Sequence, residues 1–293
     1  MFLCLAHNTL NRRAILTTIN TSGPIVIIGK NAKTGVRVNK LLCDLGIETR
    51  AVSRSTTIHF DWNNRNSWSQ ALKGARSAYV TYQPDLAVPN AESDIRAFVE
   101  VAKNEGLDHI VLLSGRGEEG AEKAEQILIN SGLDWNVVRA SWFAQNFSES
   151  FMAEGVLNGN LVLPAASTPE PFIDTDDIAE VAVAALVDAS KRNRLYEVTG
   201  PELLTFRDCV DEISKQLGKK IAFTSVSIDD YLTILESQKV PQDYQWLLNE
   251  LFTVVFDGRN SNLTHGVEEA IGRKPTKFSD YVSKTIEAGY YWG

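Results

Sequence analysis

The sequence predicts an α/β fold, in which a doubly wound parallel sheet carries a smaller C-terminal lobe. After residue 23, short apolar runs alternate with segments of helical periodicity, as in repeated strand–helix units. Gly46, Gly74, Gly106 and Gly132 each follow one of the helical segments, where a left-handed residue commonly ends a helix. The chain has 293 residues, of which 44% are apolar, and this is enough to bury a large core.

The elements of the predicted sheet follow one another along the first half of the chain. Apolar runs predict strands at Ile25–Ile28, Glu48–Val52, Ile58–Phe60, Ala78–Tyr82, Ile110–Ser114 and Trp135–Arg139. Helical periodicity predicts helices at Val36–Leu45, Trp68–Leu72, Ala91–Glu105 and Ala121–Asn130. Right-handed crossovers would place the C-terminal ends of all these strands at one edge, where ligands of such sheets bind.

The pattern changes from about Ser141, and the second half predicts a lobe with more helices. A helix capped by Asp174 or Thr175 should run to Leu186, and Tyr196–Thr199 should be a strand. Further helices are predicted at Phe206–Leu217, Ile228–Glu236, Asp243–Phe252 and Phe278–Ala288. We therefore expect a poorly ordered leader over residues 1–22, a main domain over 23–150, and a smaller α/β lobe over 151–293 from which part of the chain returns to the main sheet.

The first predicted crossover has the residues of a phosphate-binding turn. Gly29 ends the first apolar run, Gly35 follows six residues later, and Ala32 stands where the usual fingerprint has its middle glycine. Such a turn presents backbone N–H groups and a helix N-terminus to a pyrophosphate, so Asn31, Ala32, Lys33 and Thr34 are also predicted cofactor contacts. The alternative is an ordinary strand turn, because the glycine pattern by itself is weak.

The end of the second predicted strand bears on the choice of dinucleotide. A site for NAD(H) usually has a carboxylate here, which binds the ribose 2′-hydroxyl. This chain has Ser53, Arg54 and Ser55 instead, whose positive charge and donors suit a 2′-phosphate. The sequence thus favours NADP(H) over NAD(H), and the alternative is a surface arginine at a strand end.

Three further strand ends supply candidate cofactor contacts. Asp61 and Trp62 follow the third predicted strand, where a side chain can flank the adenine, although such a tryptophan is also often simple packing. Gln83 and Pro84 follow the fourth, near the expected adenine ribose and pyrophosphate. Ser114 ends the fifth and could donate a hydrogen bond to a substrate.

Composition excludes several classes of partner and site. The formal net charge of −8 argues against binding to nucleic acid or to anionic membranes, and no apolar run is long enough to span a bilayer. Cys4, Cys43 and Cys209 are far apart and odd in number, which predicts a reduced, cytoplasmic protein without a disulfide framework. No histidine has a companion ligand, and no metal site is predicted.

Several motifs together resemble the NmrA-like atypical short-chain dehydrogenase/reductases, including bacterial relatives of the ergot-alkaloid reductases. They are Gly29–Gly35, Ser53–Arg54, Phe60–Trp62, Leu112–Glu118, Ser131–Trp135, Arg139–Phe147, Pro171–Ile178, Tyr196–Pro201 and Asp257–Asn260. The resemblance runs from Pro24 to the end of the chain. It implies a Rossmann sheet over residues 23–150, a C-terminal substrate lobe, binding of NADP(H) or NAD(H), and either reductase activity or a cofactor-sensing regulatory role.

The usual proton relay of short-chain reductases is missing from this chain. Those enzymes pass a proton to the forming alkoxide through a Tyr-x-x-x-Lys pair, and no such pair occurs in this sequence. The family position falls near Gly117 and Ala121, which are chemically inert. Ser114 and Lys123 are weak catalytic candidates, and the catalytic residues are unknown.

Three acidic residues lie next to this position. Glu118, Glu119 and Glu122 lie together, and paired carboxylates can raise each other's pKa, although a solvated acidic helix start explains them equally well.

The missing proton relay restricts the acceptor. Without a proton donor, acceptors that already carry positive charge, such as an iminium ion, need only the hydride. Quinones depend less on a proton donor from the protein than ketones do, because solvent can protonate them. The sequence therefore favours a conjugated or cationic acceptor.

The expected substrate pocket follows the sixth predicted strand. Trp142, Phe143, Asn146 and Phe147 should lie at the ligand-binding edge, and Phe172 could reach the same cleft. The competing interpretation is that these aromatic residues hold the lobe against the sheet. Two functions are therefore carried forward: an NAD(P)H-dependent oxidoreductase acting on a small molecule, and a non-catalytic NADP(H)-binding redox sensor with a protein partner. The oligomeric state is left open.

Overall fold

A computed structural model of the protein describes residues 23–165 and 167–289. The leader predicted over residues 1–22 lies outside the described residues. Within the described ranges, we find no helical segment with the length and apolar character that spanning a bilayer requires. No cluster of histidine, cysteine and acidic side chains in the same ranges is arranged to hold a metal ion.

The strands form two parallel sheets. They are β1 (Ile25–Ile28), β2 (Thr49–Val52), β3 (Ser77–Val80), β4 (His109–Gly115), β5 (Asp134–Ala140), β6 (Asn160–Leu163), β7 (Arg194–Val198) and β8 (Ala222–Ser225). The larger sheet has the order β2-β1-β3-β4-β5-β7, and every neighbouring pair in it is parallel. The second sheet pairs β6 with β8. The six-stranded parallel sheet confirms the predicted fold class.

Helices cover both faces of the larger sheet and build the lobe. They are α1 (Lys33–Asp44), α2 (Trp68–Leu72), α3 (Ala91–Asn104), α4 (Glu119–Ile129), α5 (Asn146–Glu149), α6 (Met152–Leu157), α7 (Thr175–Val187), α8 (Phe206–Leu217), α9 (Ile228–Ser237), α10 (Gln242–Glu250), α11 (Gly266–Ile271) and α12 (Phe278–Glu287). A π-helical segment, Leu251–Val255, continues α10. Short 3₁₀ turns lie at Arg65–Ser67 and Ala189–Lys191.

The apolar alternation of β1 explains why both faces of the sheet are covered. Val26 and Ile28 pack with α2, α3 and α4 on one face. Ile25 and Ile27 pack with α1, α7 and α11 on the other. Successive strand residues point to opposite faces, so a strand that is apolar throughout requires a layer of helices on each side.

One predicted strand is wrong. Residues 58–60 form no strand, and their neighbourhood has only an isolated bridge between Ser53 and His59. The Thr56 hydroxyl lies 2.8 Å from the Ser53 carbonyl oxygen and 2.7 Å from that of Ile58, so local side-chain bonds take the place of a ladder. Asp61 and Trp62 therefore do not end a third strand, and β2 is the edge of the sheet.

The lobe has its own aromatic core. Phe147, Phe172, Phe206 and Phe278 are buried, with ring centroids 5.0–6.1 Å apart in neighbouring pairs. Strands β6 and β8 and the short helices α5 and α6 have no counterpart among the predicted elements. Chain segments α7 and β7 return to the main sheet, and the boundary at residue 150 stays a prediction.

The cap predicted for α7 is confirmed. Asp174 precedes the helix, and its carboxylate accepts a hydrogen bond from the Asp176 N–H at 2.9 Å. Gln145 donates to the same carboxylate at 2.6 Å and accepts from the Thr175 N–H at 2.9 Å. Burial is the main cause that raises the pKa of Asp174. This network fixes the loop after β5 against the start of α7.

Candidate active site

The order in which successive strands join the sheet reverses at β1, and a cleft opens at the C-terminal end of this strand. The chain leaves β1 for β2 on one side and later returns to β3 on the other, so the crossovers diverge at this point. Ligands of open parallel sheets bind at such a position. The cleft has a volume of about 960 Å³ and lies between the C-terminal edge of the sheet and the lobe.

The turn after β1 requires glycine at two positions. Gly29 has φ +87°, and a Cβ built on it would lie 2.0 Å from Thr81 Oγ1. Thr81 lies just past β3, and its hydroxyl donates to the Ile28 carbonyl at 3.1 Å. A Cβ on Gly35 would lie 2.1 Å from the Gly29 carbonyl oxygen. The two glycines thus bring α1 directly against the end of β1.

The N-terminus of α1 faces the cleft without a capping side chain. Ala32 makes no side-chain cap, and the first turn has no acidic residue. Asn31, Ala32, Lys33 and Thr34 all line the cleft. Because the first N–H groups of a helix have no partner within the helix, this end offers donors and partial positive charge to an anion.

Two cations lie beside this helix end. Arg37 donates to Glu149 at 2.6 Å and to Asp176 at 2.8 Å, so it ties α1 to α5 and α7. Lys33 lines the cleft, and burial is the main cause that lowers its pKa, with Arg37 acting in the same direction and Glu149 opposing it. A bound phosphate group would favour the charged form of this lysine.

Ser114 lines the cleft from β4, where it is the residue before the last. Its side chain is buried, and its hydroxyl has no hydrogen-bond partner among the described residues. A buried hydroxyl without a partner costs free energy, so it is available to a ligand that fills the cleft. Lys123 is in a different place: it is exposed on α4 and pairs with Glu119 at 2.7 Å.

Glu118 is buried in the cleft, whereas Glu119 and Glu122 are more exposed on α4. Glu118 is 7% exposed, and its pKa is raised well above its usual value by burial and then by Asp85. Asp85 lies in the loop after β3 and also lines the cleft. The pKa of Asp85 is raised by burial, while its hydrogen bonds to the Ala87 N–H and to Glu118 oppose this rise. The paired carboxyl groups at this position are therefore Glu118 and Asp85.

A second buried acid, Glu170, lines the cleft from the segment before α7. Its side chain is fully buried, and neither carboxylate oxygen has a hydrogen-bond partner within the described part of the chain. Burial raises the pKa of Glu170 to about 7, although Arg116 acts to lower it. Residues Asp85 and Glu170 were missed by the sequence reasoning, because neither stands in a recognisable motif.

The lobe provides an apolar wall opposite the sheet. Trp142 and Phe143 line the cleft, as does Asn146 at the start of α5. The Trp142 ring also packs on Phe252 at a centroid distance of 5.3 Å. Between residues 231 and 255 the lining side chains are apolar or aromatic except for Gln238: Tyr231, Ile234, Leu235, Val240, Tyr244, Leu247, Leu248, Leu251 and Val255.

Some of the residues predicted to form the site do not line the cleft. They are Gly29, Gly35, Ser53, Arg54, Asp61, Trp62, Lys123, Phe147 and Phe172. The two glycines shape the turn, and the two phenylalanines are in the lobe core. Trp62 is in an aromatic cluster below the cleft, and its indole N–H donates to the Thr81 carbonyl at 3.0 Å. Gln83 and Pro84 do line the cleft.

Comparison with known proteins identifies the family. The model of the NmrA-like family matches residues 21–288. The prestalk A differentiation protein A of Dictyostelium discoideum is 31% identical over 234 residues, which are 79% of this chain and 77% of that protein. The festuclavine dehydrogenase of Aspergillus fumigatus is 28% identical over 281 residues, 89% of this chain and 97% of that protein. Further relatives also have the names of dehydrogenases or reductases.

A solved structure has the same fold. The NADPH-dependent quinone oxidoreductase of Escherichia coli, in complex with NADPH, superimposes with a TM-score of 0.74 over 89% of this chain and 99% of that one. The identity is 19%, so this likeness concerns the fold alone. The match of the family model over nearly the whole described chain confirms the resemblance seen in the motifs: the chain belongs to the NmrA-like family.

Proposed function

We propose that this protein is an NADP(H)-dependent oxidoreductase that transfers a hydride to a flat, conjugated or cationic organic acceptor. One observation carries the proposal: a single cleft joins an uncapped helix N-terminus to an apolar wall that contains a buried carboxylate without a partner. The first feature suits the phosphates of a dinucleotide, and the second suits an aromatic or cationic molecule.

The residues present fit a dinucleotide. The close approach of Gly35 to Gly29 leaves no room for side chains between α1 and β1, so a pyrophosphate can reach the backbone N–H groups. Lys33 and the helix end supply positive charge, and no first-turn carboxylate opposes it. Bound there, the cofactor would supply the hydride. The chain would contribute orientation and exclusion of water.

Arg54 supports a preference for NADP(H). Arg54 lies two residues after the end of β2 and is exposed. It has no hydrogen bond or ion pair with another described residue. The turn that presents it is held by its own bonds, since Ser53 Oγ lies 3.1 Å from Ser55 Oγ. The unpaired guanidinium and the two hydroxyls of this turn suit a 2′-phosphate.

The charges of the cleft support a cationic or neutral acceptor over an anionic one. Glu118, whose pKa is raised by burial, and Glu149, which pairs with Arg37, are set aside in this comparison. The acidic residues that remain along the cleft are Asp85, Glu154 and Glu170, and the basic residues are Lys33 and Arg116. Arg116 is already paired with Glu197 at 2.6 Å. Glu170 is in the best position to pair with a cation, since both its carboxylate oxygens lack partners among the described residues.

The experiment measures binding first and turnover second. Calorimetry should detect NADPH binding to the purified protein. NADPH oxidation is then followed with a naphthoquinone, an iminium ion and a triarylmethane dye cation as acceptors. Turnover with any of them supports the proposal. Glu170→Gln should raise KM for the dye cation and leave KM for the naphthoquinone unchanged. Equal changes for both would refute the role of Glu170.

A redox sensor is the second candidate. It is favoured by the absence of a Tyr-x-x-x-Lys pair from the sequence, and one relative is named as a differentiation protein. NADPH binding without oxidation by any of the three acceptors would favour the sensor. The absence of heat with every pyridine nucleotide would refute both candidates.

A further inference from the structure

We propose that the carboxyl pair Glu118–Asp85 is the proton donor of this site, with Glu118 delivering the proton to the acceptor and Asp85 positioning it. The inference rests on the proposed reductase function, and it assigns a residue to the step that the missing tyrosine would perform. It concerns neutral acceptors, because a cationic acceptor needs no proton.

The backbone places the Glu118 carboxyl group inside the cleft. Glu118 immediately precedes α4, is 7% exposed and lines the cleft. The carboxyl lies against Gly115, since a Cβ built on that glycine would be 2.1 Å from Glu118 Oε2. That oxygen is buried and has no hydrogen-bond partner in the described part of the chain. Gly115 thus makes room for the carboxyl group that Glu118 contributes to the wall of the cleft.

Asp85 holds the other side of the pair. The Ala87 N–H donates to Asp85 Oδ1 at 2.9 Å, which fixes this carboxylate in its loop. Asp85 also shares a hydrogen bond with Glu118 that lowers its own pKa and raises that of Glu118. Two carboxylates cannot bond to each other without a proton between them. The pair therefore holds a proton, and we assign that proton to Glu118.

The charges around Glu118 stabilise its protonated form. Burial acts most strongly, and the charges of Asp85, Glu125 of α4 and Glu250 of α10 all raise its pKa. Arg116, its nearest basic neighbour in sequence, is directed elsewhere, since its guanidinium donates to Glu197 at 2.6 Å and to the Asn260 carbonyl at 2.7 Å. A buried carboxylic acid whose pKa is raised in this way is able to act as a general acid.

The position of Glu118 matches the missing relay. Ser114, with its buried and unpaired hydroxyl, lies four residues before Glu118 in the same strand–turn segment. A bound cofactor would supply a hydride to the acceptor carbon, and the π electrons would move to the acceptor's oxygen or nitrogen. That atom then takes the proton of Glu118. The acceptor would gain the two electrons of the hydride, which the reduced cofactor would lose, and water in the cleft would return a proton to the Glu118 carboxylate.

The decisive variant is Glu118→Gln, which keeps the shape and neutrality of the protonated side chain but has no acidic proton. With a naphthoquinone, kcat should fall by about 10²-fold, the lower end for a general acid because solvent can protonate a quinone. With a triarylmethane dye cation, kcat should not change. The exposed neighbour provides a matched control, since Glu119→Gln should leave both activities unchanged.

A second measurement does not depend on activity. The infrared spectrum of the ligand-free protein near pH 7 should contain a carboxylic-acid C=O band that Glu118→Gln removes. Asp85→Asn takes away a negative charge, so the pKa of Glu118 should fall. The alkaline limb of the naphthoquinone pH profile should then move to lower pH.

Three results would overturn the inference. The first is an equal loss of both activities in Glu118→Gln. The second is a wild-type protein that reduces the dye cation but not the naphthoquinone. The third is a carboxylic-acid C=O band that is the same in Glu118→Gln as in the wild type. If none of the acceptors supports NADPH oxidation by the wild-type protein, the proposed function fails as well. The infrared band still decides separately whether Glu118 holds a proton.

Discussion

The buried acid Glu170 should make the stability of this protein depend on pH. Its side chain is fully buried, and its backbone is fixed by two hydrogen bonds with Leu204, at 2.8 Å and 3.0 Å. Burial raises its pKa from an ordinary value of 4.5 to about 7, with Asp257 contributing and Arg116 opposing.

The sign of the effect follows from the direction of the shift. A carboxyl group with a raised pKa in the folded state contributes stability at low pH, where it is protonated in both states. That contribution is lost as the pH rises from the unfolded value of 4.5 through about 7, because only the unfolded chain ionises freely. At 1.36 kcal/mol per pKa unit, the loss between pH 5 and pH 8 is about 2.5 kcal/mol.

Glu170→Gln removes this ionisation. The free energy of unfolding of the variant, relative to that of the wild type, should therefore rise by about 2.5 kcal/mol between pH 5 and pH 8. The assay is urea unfolding of both proteins at the two pH values, with the free energies compared at equal m-values. Glu236→Gln, on the exposed face of α9, is the control and should follow the wild type at both pH values. A constant difference between Glu170→Gln and the wild type would refute the reasoning.

Three further predictions concern the cofactor turn and the lobe core. Arg54→Glu should weaken NADPH binding by at least ~10-fold in calorimetry and affect NADH much less, and equal losses would contradict the 2′-phosphate assignment. Gly35→Ala places a Cβ 2.1 Å from the Gly29 carbonyl oxygen, so it should lower the free energy of unfolding by ~1–3 kcal/mol and weaken NADPH binding. An unchanged affinity for NADPH would argue against this turn as the phosphate site. Phe147→Ala should cost ~3–5 kcal/mol in unfolding with little change in KM, while a changed KM at unchanged stability would mean that Phe147 lines the pocket.

Elements defined by local signals were predicted well. The strand Ile25–Ile28 and the helices Trp68–Leu72 and Phe206–Leu217 have the bounds that the sequence indicates. The cap at Asp174 was also found, because a capping side chain and the N–H group that it binds are two residues apart. In such cases, all the interacting groups lie within one short segment.

Elements that depend on distant partners were not predicted. Residues 58–60 have an apolar pattern typical of a strand, yet they make only an isolated bridge and turn Phe60 into the aromatic core. Strands β6 and β8 have four residues each and pair across about sixty residues of chain. A short strand is stable only when a neighbour receives its hydrogen bonds, and its own sequence does not reveal that neighbour.

The sequence by itself determined the fold class and the position of the phosphate-binding turn, because strand, glycines and helix are contiguous and their chemistry is local. It could not decide which acids matter. It grouped Glu118 with its neighbours Glu119 and Glu122, whereas the structure pairs it with Asp85, more than thirty residues earlier, and buries Glu170 without a partner in the described chain. Tertiary structure decides this, since burial and nearby charge set the pKa of a carboxyl group, and both depend on atoms that only folding brings together.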